Sequence, residues 1–465
     1  MNSVIDIPQE APFTNCKLGR EPYAKVLTDI VRTNGDGFVL AIDNKWGAGK
    51  TTFVSMWSKM LQNEGFQTLY FNAWENDFEN NPFVAITAEL KELLKNDTSD
   101  SFKEVLKKGS KISKAVIPSV MKAFLKRYAG DEVAEIMKQY SEGVLEAFQE
   151  DIDSYVDRKK NIKEFHDDLE VYIKQNSNGK PLVFIIDELD RCRPDYAVSV
   201  LENVKHLFSV KGIVFVLSID KEQLGHAICG AYGSDNIDSN EYLRRFIDIE
   251  YSLPEPPVKN YIDYLIEACK LNDFFDLKFR TKHRELHRDR TEFIDYSNFL
   301  IDLKKPTLRQ QEKLFAHVGI VFRSFVSNAF IIPELLMFLV YIKLFHKGFY
   351  QRISKRELTH QELIDECFEV LNVNLTKDGL NNYRISIEAM LVCYYNHYLE
   401  HDKRIKLSLI NDAEELFISS KFDKSEGQSS FKHCISAEKN NYHRSDIPID
   451  YLLKKIDLLD PLQDL

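Results

Sequence analysis

The apolar positions fall into two different rhythms along the chain. GFVLAID (37–43), PLVFIIDELDRC (181–192) and GIVFVLSID (212–220) carry unbroken apolar runs of strand length, the pattern of strands buried on both faces. TLYFNAW (68–74) reads as a further strand, and FIDIEYSLPEPP (246–257) as a last one closed by prolines. Between them the period changes. Phe53, Val54, Trp57, Met60 and Leu61 recur at helical spacing and stop at Gly65, and FVAITAELKELLKN predicts the next helix. Residues 97–175 are polar, lysine-rich and helical in pattern, with no strand signal until Leu182. They predict a helical insertion, about 97–165, ending in a helix that returns the chain to the sheet. Strands alternating with helices predict a parallel α/β sheet.

Beyond Pro257 strand signal fades, and helical patterns fill 258–275, 306–322, 329–347, 358–372 and 383–402. The polar stretch from Ser419 to Asp446 predicts a loop. The expected organisation is a core over 1–257 and a mostly α-helical region over 258–465. The most apolar stretch, NAFIIPELLMFLVYIKLF (328–345), contains Pro333, Glu334 and Lys343 and falls short of the roughly 20 apolar residues of a span. It predicts a buried core helix.

Composition changes the picture little. The 465 residues allow two or three domains. Hydrophobic residues at 44% and charged residues at 29% are ordinary for a globular protein. The net charge of −11 argues against a broad nucleic-acid surface. The basic run KFRTKHRELHRDR (278–290) offers only Phe279 for stacking and reads as a solvated loop or helix face. Seven scattered cysteines without C-x-x-C spacing give no zinc or redox motif. Their odd number, with no signal-peptide pattern, leads to the expectation of a reducing cytoplasm.

The chemistry sits at strand ends. NKWGAGKTT (44–52) follows the first strand and resembles the phosphate-binding pattern G-x-x-x-x-G-K-[ST]. Gly47, Ala48, Gly49, Lys50 and Thr51 complete it, but Asn44 replaces the first glycine. That glycine often takes a conformation costly for most side chains. Asparagine tolerates positive φ, which makes this the mildest departure. Such a loop turns backbone N–H groups around phosphates at a helix N-terminus. Lys50 is placed to reach the β and γ phosphates, and the Thr51 hydroxyl to hold Mg²⁺. VFIIDE ends in Asp187, suited to hold the metal, and Glu188, suited to orient and deprotonate a water. Ser218, at the tip of the next strand, is a candidate γ-phosphate sensor.

In combination these residues resemble the KAP family of P-loop NTPases. The resembling segments are LGREPYAKVL (18–27), NKWGAGKTTF (44–53), LYFNAWEND (69–77), VFIIDELDRCRPDYAVSVLENVKHLF (183–208), GIVFVLSIDKEQL (212–224) and YLRRFIDIEYSLP (242–254), with a weaker echo at 305–315. The resemblance implies an additional-strand, catalytic-glutamate core that uses ATP with Mg²⁺. Asn44 to Thr52, with Trp46 inside, match the family's phosphate loop, Asp187 and Glu188 its second motif, and Asp190 and Arg191 the acid and base that follow. Arg20 and Tyr23 fall in the stretch that borders the adenine in relatives, and a plain helix packed on the sheet is the alternative reading. Arg191 suits an ion pair or subunit contact. An arginine stabilising the γ-phosphate would come from Arg244 or Arg245, presented to a neighbouring subunit, or from Arg309 in the α-helical region. Surface roles for all three stay open.

Many relatives carry transmembrane helices between the two motifs, where this chain has the polar insertion. The expected protein is therefore free of membrane spans and acts through a homo-oligomer or partner proteins. The expected activity is an ATPase whose cycle closes and reopens the α-helical region, with bacterial phage defence as a family association. Two other classes stay open: a nucleotide-gated interaction protein with little hydrolysis, and a small-molecule kinase, which would need an arginine-rich lid the sequence does not display.

Overall fold

A computed structural model of the chain describes residues 5–35, 37–93, 143–176, 179–234, 236–255, 258–372, 381–403, 416–440 and 447–459. The chain divides into two compact units, Ser3–Glu255 and Pro256–Leu465.

The first unit is built on five parallel strands: β1 (Phe38–Asp43), β2 (Thr68–Asn72), β3 (Leu182–Asp187), β4 (Ile213–Ile219) and β5 (Ile249–Ser252). Their order is β2-β3-β4-β1-β5, and every pairing is parallel. Every residue of β3 and β4 is buried, which is why their sequences run apolar without alternation. The pleat still sorts them. Phe184, Ile186, Phe215 and Leu217 face one core, while Val183, Ile185, Val214 and Val216 face the other. Helices α1 (Glu21–Thr33) and α2 (Lys50–Asn63) cover the second face with Leu27, Val31, Phe53 and the fully buried Trp57.

The first face is covered by α3 (Pro82–Leu93), α4 (Gly143–Asn176) and α5 (Pro194–Leu207). Residues 94–142, which hold most of the expected insertion, lie outside the described residues. Helix α4 is the returning helix. Phe165, Leu169, Tyr172 and Ile173 recur on one face and are buried. Phe165 meets Phe83 and Phe208 at ring-centroid distances of 5.6 and 5.8 Å. Gly212 enters β4 at φ +86°, where a Cβ would come within 2.9 Å of Ile173. Only glycine serves there.

Helices α6 (Lys221–Tyr232) and α7 (Ser239–Leu243) lead to β5. The expected strand over 246–257 is cut to four residues. Phe246 and Ile247 still belong to a helical turn, with N–H groups bonded to the Leu243 carbonyl. Pairing starts only after Asp248, whose carboxylate takes the Val39 N–H at 2.8 Å.

The second unit is helical among its described residues. The expected helices are present at Val258–Ala268, Leu308–Phe322, Pro333–Phe345, His360–Leu371 and Asn381–Lys403. Capping boxes at Thr307/Gln310 and Thr359/Glu362 start two of them. The 333–345 helix is buried at every position from Leu335 to Ile342 and forms the core of this unit. Among the described residues no helix is long and apolar enough to cross a membrane.

Two expectations are corrected. The polar tail is not all loop: Ser429–Lys439 is a helix seated by Phe431 and Ile435, two apolar residues that are too few to announce a period. The basic run is not simply a solvated face either. It folds into short helices, Lys278–Lys282 and Arg284–His287, leading into Asp289–Lys304. Arg280 turns inward, 1% exposed, and pairs with the fully buried Asp289. It also donates to the Ala329 carbonyl at 2.8 Å and lies 4.2 Å from the Phe274 ring centroid. Removing one partner of such a pair strands a buried charge. Arg280→Met is therefore expected to destabilise the protein by about 3–5 kcal/mol. In urea denaturation, the double variant Arg280→Met/Asp289→Leu is expected to recover most of that loss.

Candidate nucleotide site

Strand β1 runs into the loop 44–49, and the loop into α2. Gly47 at φ +79° and Gly49 at φ +78° supply the left-handed turns that let successive N–H groups form an anion nest. Gly49 is also the N-cap of the fourteen-residue α2, whose N-terminal end favours negative charge. Asn44 does not stand in for a glycine as the sequence suggested. It is absent from the positive-φ residues. Its value lies in its side chain, which donates to the Leu253 carbonyl at 2.7 Å and accepts the Lys45 N–H at 2.8 Å. Its own N–H bonds the Ile219 carbonyl at 3.2 Å. Asn44 thus ties the loop's start to the ends of both strands flanking β1, which a glycine would do only in part.

Lys50 is buried, and its ammonium donates to the Asn44 carbonyl and, at 3.3 Å, to that of Lys45. Burial pushes its pKa down, while Asp190, Asp220, Asp187 and Asp43 oppose the shift. Arg20 is 2% exposed and donates to the carbonyls of Ala48 (2.8 Å) and Gly49 (3.2 Å). These bonds tie its guanidinium to the loop's backbone and brace the loop. Tyr23 packs half-buried against the core beneath α1 and α2. Thr51 is exposed in the first turn of α2, and Thr52 is half-buried beside it.

The acids stand two strands away, across β4. Asp187, the last residue of β3, is in register with Asn72 on β2 and Ser218 on β4. It is 1% exposed and accepts the Tyr70 hydroxyl at 2.9 Å. Ser218 is fully buried, and its hydroxyl has no partner among the described residues. An orphaned buried hydroxyl costs about 1–3 kcal/mol. Glu188 takes φ +61°, a left-handed conformation that is strained for its side chain. Its carboxylate pairs with Arg191 at 2.6 Å and accepts from Asn72 Nδ2 at 3.3 Å. Burial raises the Glu188 pKa, and Arg191 pulls the other way. Arg191 in turn lies 5.8 Å from the exposed Trp74 ring.

Sequence reasoning gave no role to Asn72 and none to the position of Asp190. Both lie in stretches that carry the family resemblance, but only the fold shows what they touch. Asp190 is buried, and burial raises its pKa against the pull of Lys50. Its Oδ2 accepts from the Trp46 indole and from the Asp220 N–H at 3.0 Å.

Arg244 and Arg245 are not gathered here. Arg244 is exposed and paired with Glu241 at 3.0 Å, and Arg245 is exposed. Both precede β5, whose Ile249 pairs with Leu40 near the start of β1. They therefore lie toward the opposite edge of the sheet from the loop. Arg309 is exposed in the second unit.

The family model described as the KAP family P-loop domain matches residues 20–324, well over half of the chain. The chain belongs to the KAP family. No curated protein sequence matches it. The KAP match begins at Arg20, the loop's brace, and extends into the second unit through the 308–322 helix. The additional strand of this NTPase class is β4, inserted between the loop strand and the acid strand. A P-loop domain binds nucleotide, usually with a divalent metal. The residues here suit both: a glycine nest on a helix N-terminus, an exposed Thr51 hydroxyl, a buried Asp187 carboxylate and the orphaned Ser218 hydroxyl.

The strain at Glu188 can be checked without any ligand. Glu188→Gly relieves the left-handed backbone and removes a half-buried carboxylate. It is expected to leave the protein as stable as the wild type or up to about 1 kcal/mol more stable in urea denaturation, whereas a purely structural Glu188–Arg191 pair would make the variant less stable.

Proposed function

We propose that this KAP domain is a Mg²⁺-dependent ATPase whose cycle drives conformational or assembly change. The observation that carries the reading is the meeting of Lys50, Ser218, Asp187 and Glu188 at the C-terminal edge of three adjacent strands, β1, β4 and β3. Mg-ATP would seat its phosphates on residues 44–52, with Lys50 exchanging loop carbonyls for phosphate oxygens. Thr51 and Asp187 would hold the divalent ion, which supplies charge neutralisation between the phosphates. Ser218 has a hydroxyl hydrogen to offer the γ-phosphate. Glu188 would take a proton from the attacking water.

Arg244 and Arg245 do not reach the loop along the sheet, so an arginine for γ-phosphate charge would come from a neighbouring copy, which makes a homo-oligomer part of this reading, or from Arg309 of the α-helical region. The seven free thiols accord with a reducing compartment such as the cytoplasm. Bacterial phage defence is the family context, tested by phage challenge of cells carrying wild type or Lys50→Ala. Protection by both would separate that role from nucleotide.

A second reading, a nucleotide-gated interaction protein with little hydrolysis, is favoured by one observation. Both Glu188 oxygens are occupied, by Arg191 and Asn72. Phosphate release and ATP binding by wild type, Lys50→Ala and Glu188→Gln separate the two. The ATPase reading expects Glu188→Gln to bind ATP but turn over about 10²–10³-fold more slowly, and Lys50→Ala to lose both. Tight binding with no turnover in the wild type would favour the gated protein, and no binding would overturn both.

A further inference from the structure

Trp46 sits inside the phosphate loop, yet both of its N–H groups point away from the nest. The backbone N–H donates to Asp220 Oδ2 at 3.0 Å, and the indole N–H donates to Asp190 Oδ2. The same Asp190 oxygen accepts the Asp220 backbone N–H at 3.0 Å. Asp220 also caps α6 by accepting the Gln223 N–H at 3.2 Å. Asp190 and Asp220 are 7% and 6% exposed, whereas the Trp46 ring is 43% exposed. A closed ring of bonds therefore joins three pieces of chain: the phosphate loop, the end of β4 and the 3₁₀ turn Leu189–Arg191 that directly follows Glu188.

The indole N–H of Trp46 finds a carboxylate partner although its ring is half exposed, and two carboxylates taken from water need donors. The geometry also has a consequence for motion. Glu188 is held by Arg191 from the same turn that Asp190 occupies, so the loop and the acid's partner share one short, bonded segment.

We propose that Asp190 is a positioning residue that latches Trp46, so that displacement of the phosphate loop by a bound triphosphate is carried to the turn holding Glu188. This rests on the nucleotide reading above for its consequence, but the latch itself does not need a nucleotide. Trp46 is thereby a built-in reporter. Its emission in each background is obtained against the matching Trp46→Phe form, wild type against Trp46→Phe and Asp190→Ala against the double variant, which removes the signals of Trp57 and of Trp74 beside Arg191.

Asp190→Asn keeps an oxygen where both bonds converge, while Asp190→Ala removes it. Without nucleotide, Asp190→Ala is expected to red-shift Trp46 emission and open it to acrylamide quenching. Asp190→Asn and the exposed control Asp195→Ala are expected to leave it unchanged. With Mg-ATP, Trp46→Phe and Asp190→Ala are each expected to lower kcat about ten-fold with KM moved less than about three-fold, and the double variant no further than either single one. Unchanged emission in Asp190→Ala, additive losses in the double variant, or an Asp190→Asn that behaves like Asp190→Ala would overturn the latch. In the last case charge beside Lys50, not the bond, would be what matters. Failure of wild type to bind ATP would overturn the nucleotide reading, while the emission measurement without nucleotide would still decide the latch.

Discussion

Parallel pairing of β4 between β1 and β3 is the constraint from which the site follows. The three strands run side by side with Asp43 opposite Ile219 and Ser218 opposite Asp187, so they end almost level. Asp187, Glu188 and Ser218 leave the sheet at that edge, and the loop that carries Lys50 starts from it. The pairing itself is driven by burial. All thirteen positions of β3 and β4 are withdrawn from water, and at about 25 cal/mol per Å² that apolar area dominates the unit's stability. A register slip of one residue would exchange the two core faces and put Ser218 out of line with Asp187.

The edge so made is electrically crowded. Lys50 is surrounded by Asp43, Asp187, Asp190 and Asp220, and the loop's carbonyls are held from below by Arg20. Buried charges of this kind are tolerated only when each has donors or a counter-charge. The arrangement meets that condition by sharing: one Asp190 oxygen serves two donors, and Asn44 serves strands on both sides. The residues left least comfortable are Glu188, in a left-handed backbone, and Ser218, with an idle hydroxyl. A strained backbone and an unpartnered buried hydroxyl thus stand at neighbouring strand ends.

The second unit obeys a different logic. Its core is a helix apolar on all sides, 333–345, and its ion pairs are structural. Arg280 and Asp289 hold short helices to the 327–329 turn. Lys343 and Tyr350 hold Asp457 near the end of the last helix. These contacts explain why a run that is basic in sequence is only partly a surface feature.

Elements whose signal is local could be read from the chain alone. Unbroken apolar runs read as buried strands because both faces are covered, and Gly47, Gly49 and Lys50 read as a phosphate loop because glycine backbone freedom and a helix start are local properties. The acid pair at 187–188 was legible for the same reason, standing at the end of such a run. Tertiary structure alone decided what those residues touch. That Asn44 works through its side chain rather than a positive φ, that Arg20 braces the loop, that Asn72 reaches Glu188 and that Asp190 holds Trp46 all depend on strands distant in sequence being brought into register. The burial of Arg280 and the seating of the 429–439 helix depend instead on the packing of helices within the second unit. A hydrogen bond or ion pair across more than a hundred residues leaves no period and no spacing in the chain. Its energy exists only once the sheet has set the two groups side by side.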